Sequence, residues 1–292
     1  MRLSSKIIIR QNIISACRQF FLDHHFREIT IPILNSSLPS EPNIYPFTTT
    51  HTRSLGKNKK YFLATSPESS LKILISQGLG DCFAISPCFR NLENIGPYHL
   101  PEFLMLEWYE IGKNYLDIMT TTTNLLKSFG LPTPETISLK KYFTTFPDNE
   151  PDFNQFFLND IELHLPTNPV FLTDYPAFLS PLAKSTTTAD INFCLPADQA
   201  QYEPCSNRTQ KTNTKPRREH KKKSLPVPLS ERFELYINRI EIANCCTENL
   251  QPSIKVPWGQ LPPCAGCALG LDRLAIVLTA STNISQVSLS NF

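Results

Sequence analysis

The stretch Gly266-Cys-Ala-Leu-Gly-Leu-Asp-Arg273, near the C-terminus, carries the strongest signal about the fold of this chain. It follows four polar residues at short spacing, Glu234, Glu241, Asn244 and Glu248. Acidic residues that can share a face, followed by a glycine-containing segment that delivers an arginine, suit the binding of a nucleoside triphosphate with its magnesium ion. The pattern therefore predicts ATP chemistry on a fold without a P-loop.

Glu234 and Glu241 lie in a predicted β-hairpin. If residues 233–237 and 240–244 pair and turn at Asn238-Arg239, the two glutamates become diagonal neighbours on one face. Carboxylates this close repel each other unless a cation lies between them, and they suit Mg²⁺ that keeps water and phosphate as its other ligands. We therefore predict a magnesium site here. The alternative is a solvated hairpin, because exposure is the usual state of glutamate.

The composition indicates a folded protein in a reducing compartment. The 292 residues are 41% hydrophobic, which is enough for one large domain or for one domain with an appendage. The formal net charge of +2 gives no overall signal for nucleic acid. The nine cysteines are odd in number and irregularly spaced, and neither a signal peptide nor a membrane-length apolar run is present. We expect a cytoplasmic location.

A helix and a strand are predicted at the N-terminus. Apolar residues recur at helical spacing through residues 5–23, and a strand over residues 26–31 ends at Pro32, which cannot donate to a ladder. Residues 61–63 predict a second strand. It leads into Ser66-Pro-Glu68, where serine is a suitable N-cap and proline a suitable first helical residue. Glu68 then lies in the first helical turn, where the helix dipole favours a carboxylate even without a ligand.

Two further strands are predicted over residues 83–90 and 102–111. The loop between them, residues 91–101, is too long for a tight hairpin, which is typical of functional loops. Strand alternation places Glu107 and Tyr109 on the same face. A carboxylate beside a phenol would form a polar pocket that suits a cationic amine.

The middle of the chain is less regular. A helix is predicted near residues 116–129, and the pattern over residues 131–195 gives no assignment. A polar insertion is predicted at about 196–229, and it contains the basic run Lys215-Pro-Arg-Arg-Glu-His-Lys-Lys-Lys223. This run is either a solvated loop or a docking patch for an acidic partner.

In order, these segments resemble the three motifs of the class II aminoacyl-tRNA synthetases, specifically of the lysyl branch. The helix and strand that end at Pro32 look like the first motif, Phe89-Arg-Asn91 and Pro101-Glu-Phe103 look like the second, and the stretch that ends at Arg273 looks like the third. The resemblance implies an α+β fold in which an antiparallel sheet is flanked by helices, and a homodimer formed through the first motif.

The similarity is closer to the short paralogues of lysyl-tRNA synthetases, which lack an anticodon-binding domain. It rests on Thr65-Ser-Pro-Glu68, Leu106-Glu-Trp-Tyr109, Glu241-Ile-Ala-Asn244 and Ala268, where lysyl-tRNA synthetases have glycine. It implies a single catalytic domain over residues 1–292 and does not favour tRNA as a substrate. The implied activity is the ATP-dependent activation of (R)-β-lysine or lysine as an adenylate, and its transfer to a lysine side chain of elongation factor P.

The resemblance also assigns nucleotide-binding roles to individual residues. Arg90 would contact the α-phosphate of ATP and Arg273 the γ-phosphate, so these two are the expected catalytic residues. Phe103 would stack on the adenine, and His99 would help to hold the triphosphate.

The remaining matches concern the metal and the amino acid. Glu234 and Glu241 match the family's magnesium ligands, in agreement with the hairpin argument. The residues that match the amino-acid pocket are Glu68, Glu107, Tyr109, Asn244 and Glu248. Ala268 adds one methyl group at the end of the pocket that holds the amino group, which would favour a β-amino acid by about 1–3 kcal/mol.

Two segments depart from the family pattern. The loop of the second motif carries Leu92, Pro97 and Leu100 where relatives have an acidic residue, an arginine and an asparagine, which would weaken ATP binding. Cys245-Cys246 replaces a glycine and an aromatic residue of the pocket. Two alternatives therefore stay open, a synthetase-like enzyme with another amino acid or acceptor and a non-catalytic binding module.

The cysteines near the C-terminus allow two interpretations. Cys264-Ala-Gly-Cys267 and Cys245-Cys246 together supply the four thiolates of a tetrahedral zinc site. Adjacent cysteines chelate one metal poorly, so the favoured interpretation is that these residues are small, buried and apolar in character.

Overall fold

The computed structural model of the protein describes residues 3–38, 44–52, 56, 58–92, 95–143, 146–186 and 227–289. Almost all of the predicted insertion at about 196–229, including the basic run, lies outside the described residues, so its role stays a prediction. Within the described ranges, none of the helices combines the length and the apolar character that crossing a membrane requires.

The regular elements alternate along the chain. The strands are β1 (Arg27–Glu28), β2 (Leu34–Asn35), β3 (Thr48–His51), β4 (Lys59–Leu63), β5 (Cys82–Phe89), β6 (Glu102–Ile111), β7 (Glu135–Ser138), β8 (Val170–Thr173), β9 (Arg232–Ile237), β10 (Ile240–Thr247) and β11 (Cys264–Gly270). The helices are α1 (Leu3–Asp23), α2 (Glu68–Ser76), α3 (Tyr115–Ser128), α4 (Glu150–Phe156) and α5 (Leu271–Leu278).

A sheet of eight strands forms the centre of the fold, in the order β1-β5-β6-β11-β10-β9-β8-β7. Only its two outermost pairs, β1 with β5 and β7 with β8, are parallel. A second sheet pairs β2, β4 and β3 in that order. The predicted α+β fold, an antiparallel sheet flanked by helices, is confirmed.

One face of the large sheet packs against α1, α3 and α5. In α1, Ile13, Cys17 and Phe21 recur every four residues and are buried, as an amphipathic helix requires. The Phe21 ring lies 5.1 Å from that of Phe83 on β5 and 5.0 Å from that of Trp108 on β6, measured between centroids. This packing covers one side of the sheet and leaves the opposite side for a binding site.

Most of the predicted elements are confirmed, and two predictions near the N-terminus are wrong. The hairpin β9–β10 turns at Asn238 and Arg239, which both have positive φ, as a two-residue hairpin turn requires. The strand predicted over residues 26–31 pairs only over Arg27–Glu28. Helix α2 begins at Glu68 with Pro67 at the cap position and no capping side chain, so Ser66 is not the N-cap.

The region that the sequence pattern left unassigned completes the large sheet. Strands β7 and β8 extend it beyond β9, and α4 packs on them through Phe153. A π-helical turn over Phe157–Ile161 follows α4 directly, which breaks the simple helical period. This region brings Tyr175 to the site described below.

Candidate functional site

A cavity of about 450 Å³ opens on the sheet face that α1, α3 and α5 leave uncovered. The structure brings nearly all the predicted site residues together here. Those that line the cavity are Glu68, Arg90, His99, Phe103, Glu107, Tyr109, Glu241, Asn244, Glu248, Ala268 and Arg273. Glu234 is the exception, because it lies behind the cavity wall.

At one end of the cavity, β6 supplies a carboxylate and a phenol. The Tyr109 hydroxyl donates to Glu107 Oε1 at 2.7 Å, and both residues are buried. Burial raises the pKa of Tyr109 well above its ordinary value and the Glu107 charge adds to this shift, so the phenol stays a hydrogen-bond donor. The strand register sets Ala268 directly opposite Glu107.

Gly266 makes room for the Tyr109 ring. The two residues face each other on β11 and β6, and a Cβ added at Gly266 would lie 2.3 Å from Cε1 of that ring. In folded proteins, a Cβ atom essentially never lies this close to a heavy atom of another side chain. Position 266 of the third motif therefore requires glycine, because the Tyr109 ring on the neighbouring strand occupies the space that a Cβ would need.

Glu68 and Glu248 form an acidic pair beside this end, and Lys72 lies between them. The Lys72 ammonium is 2.6 Å from Glu68 Oε1 and 2.6 Å from Glu248 Oε2, and its side chain has no exposed surface. Burial by itself would lower the pKa of Lys72, but the carboxylates of Glu248 and Glu68 outweigh it and hold the pKa well above the ordinary value. Lys72 is therefore a buried ammonium ion.

Glu248 is the more enclosed member of the acidic pair. It is 3% exposed, and the Cys246 Sγ lies 3.9 Å from its Oε1. Burial raises the pKa of Glu248 from 4.5 to about 7, while the charge of Lys72 acts in the opposite direction. Protonation of Glu248 therefore stabilises the fold at low pH, and this contribution is lost as the pH rises through about 7.

At the other end of the cavity, Arg273 contacts two other predicted residues, Glu241 and His99. It lies in the first turn of α5, and its Nη1 donates to the Glu241 backbone carbonyl at 2.9 Å and to Glu241 Oε2 at 3.4 Å. Its Nη2 contacts His99 Nε2 at 2.8 Å. The Arg90 guanidinium lies 5.2 Å from the centroid of the Phe103 ring. This end therefore presents two guanidinium groups and an aromatic face.

The predicted magnesium ligands differ in their surroundings. Glu241 is partly exposed, whereas Glu234 accepts hydrogen bonds from Tyr175 at 2.5 Å and Tyr236 at 2.9 Å and pairs with Arg232. Burial raises the pKa of Glu234, and Arg232 opposes this shift. No cluster of three or more His, Cys, Asp or Glu side chains that could hold a metal occurs in the described ranges. A magnesium ion here would need phosphate or water among its ligands, and the site stays a prediction.

The four C-terminal cysteines are divided between the two faces of the sheet. Cys245 and Cys267 are directly opposite each other on β10 and β11, with Cα atoms 4.0 Å apart, and their sulfur atoms lie at bonding distance, so they can form a disulfide under oxidising conditions and stay thiols in the expected reducing compartment. Alternation points Cys246 and Cys264 to the cavity side. The four-thiolate zinc interpretation is therefore wrong. The favoured interpretation, small and buried apolar residues, is confirmed for Cys245, Cys264 and Cys267, which lie in the hydrophobic core, whereas Cys246 is partly exposed.

Several residues of the site were not among those predicted. Lys72 follows Glu68 by four residues on a helix, and Arg232 precedes Glu234 by two on a strand, so each shares a face with a predicted residue. That spacing is the signal that could have identified them. Asp272 accepts from the Leu104 amide at 2.7 Å and pairs with Arg10, which fixes the start of α5 beside Arg273. No local pattern predicts these contacts.

The known proteins that are similar to this chain include ligases that it covers over most of their length and longer ligases that it covers only in part. The elongation factor P–(R)-β-lysine ligase of Hamiltonella defensa is 26% identical over 97% of this chain and 94% of that protein. A homologue of that ligase from Aquifex aeolicus is 30% identical over 89% of this chain and 91% of that protein. The lysine–tRNA ligase of Nitrosomonas europaea is 26% identical over 96% of this chain but only 62% of its own length.

The family follows from a second comparison, with family models. The family model of the class II tRNA synthetases (D, K and N) matches residues 1–257, which is most of the chain. The third motif recognised in the sequence follows this range and lies on β11 and the start of α5. The chain belongs to the class II tRNA synthetase family (D, K and N).

Proposed function

We propose that this protein activates (R)-β-lysine with ATP and transfers the acyl group to a lysine side chain of elongation factor P. The observation that carries the proposal is one cavity with carboxylates and a phenol at one end and two arginines at the other. Relatives named as elongation factor P–(R)-β-lysine ligases, which match nearly the whole chain, support it.

The cavity suits two successive transfers. In the first, a carboxylate oxygen of the amino acid attacks the α-phosphorus of ATP, and the bond to pyrophosphate breaks. In the second, the acceptor lysine amine attacks the acyl carbon, an amide forms and AMP leaves with the acyl–oxygen bonding electrons. Arg90 and Arg273 would neutralise the charge that develops on the phosphate oxygens.

Magnesium is the cofactor proposed with ATP. Glu241 would be the direct ligand of the ion, because the carboxylate of Glu241 is partly exposed. Glu234 lies behind Glu241. When bound there, the ion would neutralise phosphate charge and favour the departure of pyrophosphate.

The ammonium groups of the substrate would bind at the acidic end. A buried ammonium requires charged or hydrogen-bonding partners, and Glu107, Glu248 and Glu68 supply carboxylates there. Ala268, opposite Glu107, narrows the same end by one methyl group. These features favour a diamino acid over a neutral one.

Substrate binding is expected to depend on the ionisation of Glu248. Because its pKa is about 7, the fraction of carboxylate rises about tenfold between pH 6 and pH 8, and the KM for the amino acid should fall by a similar factor. The measurement is the KM for (R)-β-lysine in pyrophosphate exchange across this range. Glu248→Gln should flatten the profile, and an unchanged profile in that variant would assign the titration to another group.

The proposal is tested by ATP–pyrophosphate exchange with purified protein and magnesium. (R)-β-lysine, L-lysine and no amino acid are compared, followed by mass spectrometry of elongation factor P after incubation with the full reaction. Exchange strongest with (R)-β-lysine and a mass increase on the acceptor are expected. Elongation factor P with arginine at its acceptor position is the control. Exchange with neither amino acid would contradict the proposal and favour the non-catalytic module.

We also propose that the protein is a cytoplasmic homodimer that associates through α1. Ile7, Ile8 and Leu22 of this helix are all more than 40% exposed, and exposed apolar side chains on one element are typical of protein interfaces. Light scattering on the purified chain measures the mass directly.

A further inference from the structure

Lys72 lies between two carboxylates that face the cavity, yet it does not itself line the cavity. Glu68 projects from the first turn of α2 and Glu248 follows β10, and both contribute to the cavity wall. Lys72 reaches them from behind, one helical turn after Glu68. Its side chain is closed in by the rings of Trp258, at 4.8 Å, and Tyr109, at 5.7 Å. It can act on a ligand only through the acidic pair.

The charges around Lys72 can be assigned. Among the described residues, the thiols of Cys246 and Cys264 and the phenol of Tyr109 also lie beside Lys72, and the Tyr109 hydroxyl donates to the neighbouring carboxylate of Glu107, which adds its own charge to this end of the cavity. Burial raises the pKa of each of the two thiols and of the phenol, so these three groups are neutral at pH 8. With both carboxylates ionised, the acidic pair and Lys72 therefore carry one net negative charge.

Removing Lys72 would change both the geometry and the charge of the acidic pair. Each carboxylate has an oxygen 2.6 Å from the same ammonium, so these two oxygens are no more than twice that distance apart. At such a separation two carboxylates repel each other strongly without a cation between them. The lysine both holds them in place and cancels one of their charges.

We propose that Lys72 is a positioning residue that sets the acidic pair to accept a single ammonium group of the substrate. The inference rests on the proposed function, because it takes the ligand to be an amino acid with ammonium groups. Lys72, which does not line the cavity, therefore helps to set the net charge of the cavity wall at the acidic pair.

The test is a pair of variants measured at pH 8, above the pKa of Glu248. Glu248→Gln leaves Lys72 and Glu68, whose charges cancel, so the KM for (R)-β-lysine should rise at least about tenfold, as expected for losing a hydrogen bond to a charged group. Adding Lys72→Met restores one net negative charge at Glu68. The double variant should therefore recover a substantial part of the lost affinity, with the KM for ATP unchanged in both.

A purely structural role for Lys72 gives the opposite result. In that case the double variant would bind the amino acid no better than Glu248→Gln, which would overturn the proposal. An unmodified protein that shows no exchange with any amino acid would instead refute the proposed function.

Thermal unfolding without ligand tests the charge pairing independently of activity. The charge of Lys72 lowers the pKa of Glu248, so Lys72→Met alone should raise that pKa, and Glu248 should then take up a proton in the folded protein. The Tm of Lys72→Met should therefore fall more steeply with rising pH than the Tm of Lys72→Met/Glu248→Gln, in which position 248 does not titrate. The same pH dependence of Tm in both variants would show that Lys72 does not compensate Glu248, and the proposal would be wrong.

Discussion

Replacing Arg273 with alanine is expected to lower the rate of ATP–pyrophosphate exchange by about 10²–10³-fold, the usual effect of losing a group that stabilises transition-state charge. Its guanidinium contacts Glu241 and His99 at the end of the cavity that also holds Arg90. The variant also releases Glu241 from its ion pair, so nucleotide affinity should fall as well. Initial rates at saturating ATP separate the two effects.

A surface lysine provides the control for this prediction. Lys113 pairs with Asp117 at 3.7 Å at the start of α3, and a surface ion pair of this kind contributes only about 0–1 kcal/mol to stability. Lys113→Ala should therefore leave the exchange rate near that of the unmodified protein. If Arg273→Ala behaved in the same way, the assignment of Arg273 to the triphosphate would be wrong.

Gly266→Ala is expected to disable the amino-acid end of the cavity. The new Cβ would lie 2.3 Å from the Tyr109 ring, which is buried and cannot yield freely. Overpacking of this kind destabilises a fold by about 1–3 kcal/mol. Displacement of the ring would also break the hydrogen bond to Glu107 and raise the KM for the amino acid by about 10–100-fold. Urea unfolding and amino-acid-dependent exchange measure the two effects.

Gly80→Ala is the matched control for this substitution. A Cβ at Gly80 meets no atom within 4 Å, so the same chemical change should leave stability and exchange nearly unaltered. If Gly266→Ala kept both its stability and its amino-acid KM, the Tyr109 ring could not lie against position 266 as the structure places it.

The amino-acid sequence by itself predicts much of the central sheet. Strand alternation in β6 places Glu107 beside Tyr109, and the turn at Asn238-Arg239 fixes the hairpin that carries Glu234 and Glu241. These features depend on the two-residue alternation of side chains along a strand and on the residue preferences of turns. Both can be identified without any knowledge of neighbouring elements. The family resemblance rests on the same motifs and is supported by the comparisons with known proteins.

Other features depend on which strands become neighbours and in which register. Cys245 meets Cys267 because β10 and β11 pair with those residues opposite each other, and a shift of one residue would separate them. The same register sets Gly266 against Tyr109, and tertiary packing gives Glu234 the buried partner Tyr175 from a region without a clear sequence pattern.

The sequence thus determined the sheet, the order of the motifs and the chemical types of the site residues, because local patterns encode them. Only the tertiary structure decided how those residues are partnered. It places Lys72 between Glu68 and Glu248, which come from distant parts of the chain. The charge of the acidic pair follows from this long-range contact and from its burial, and neither is encoded in the local sequence.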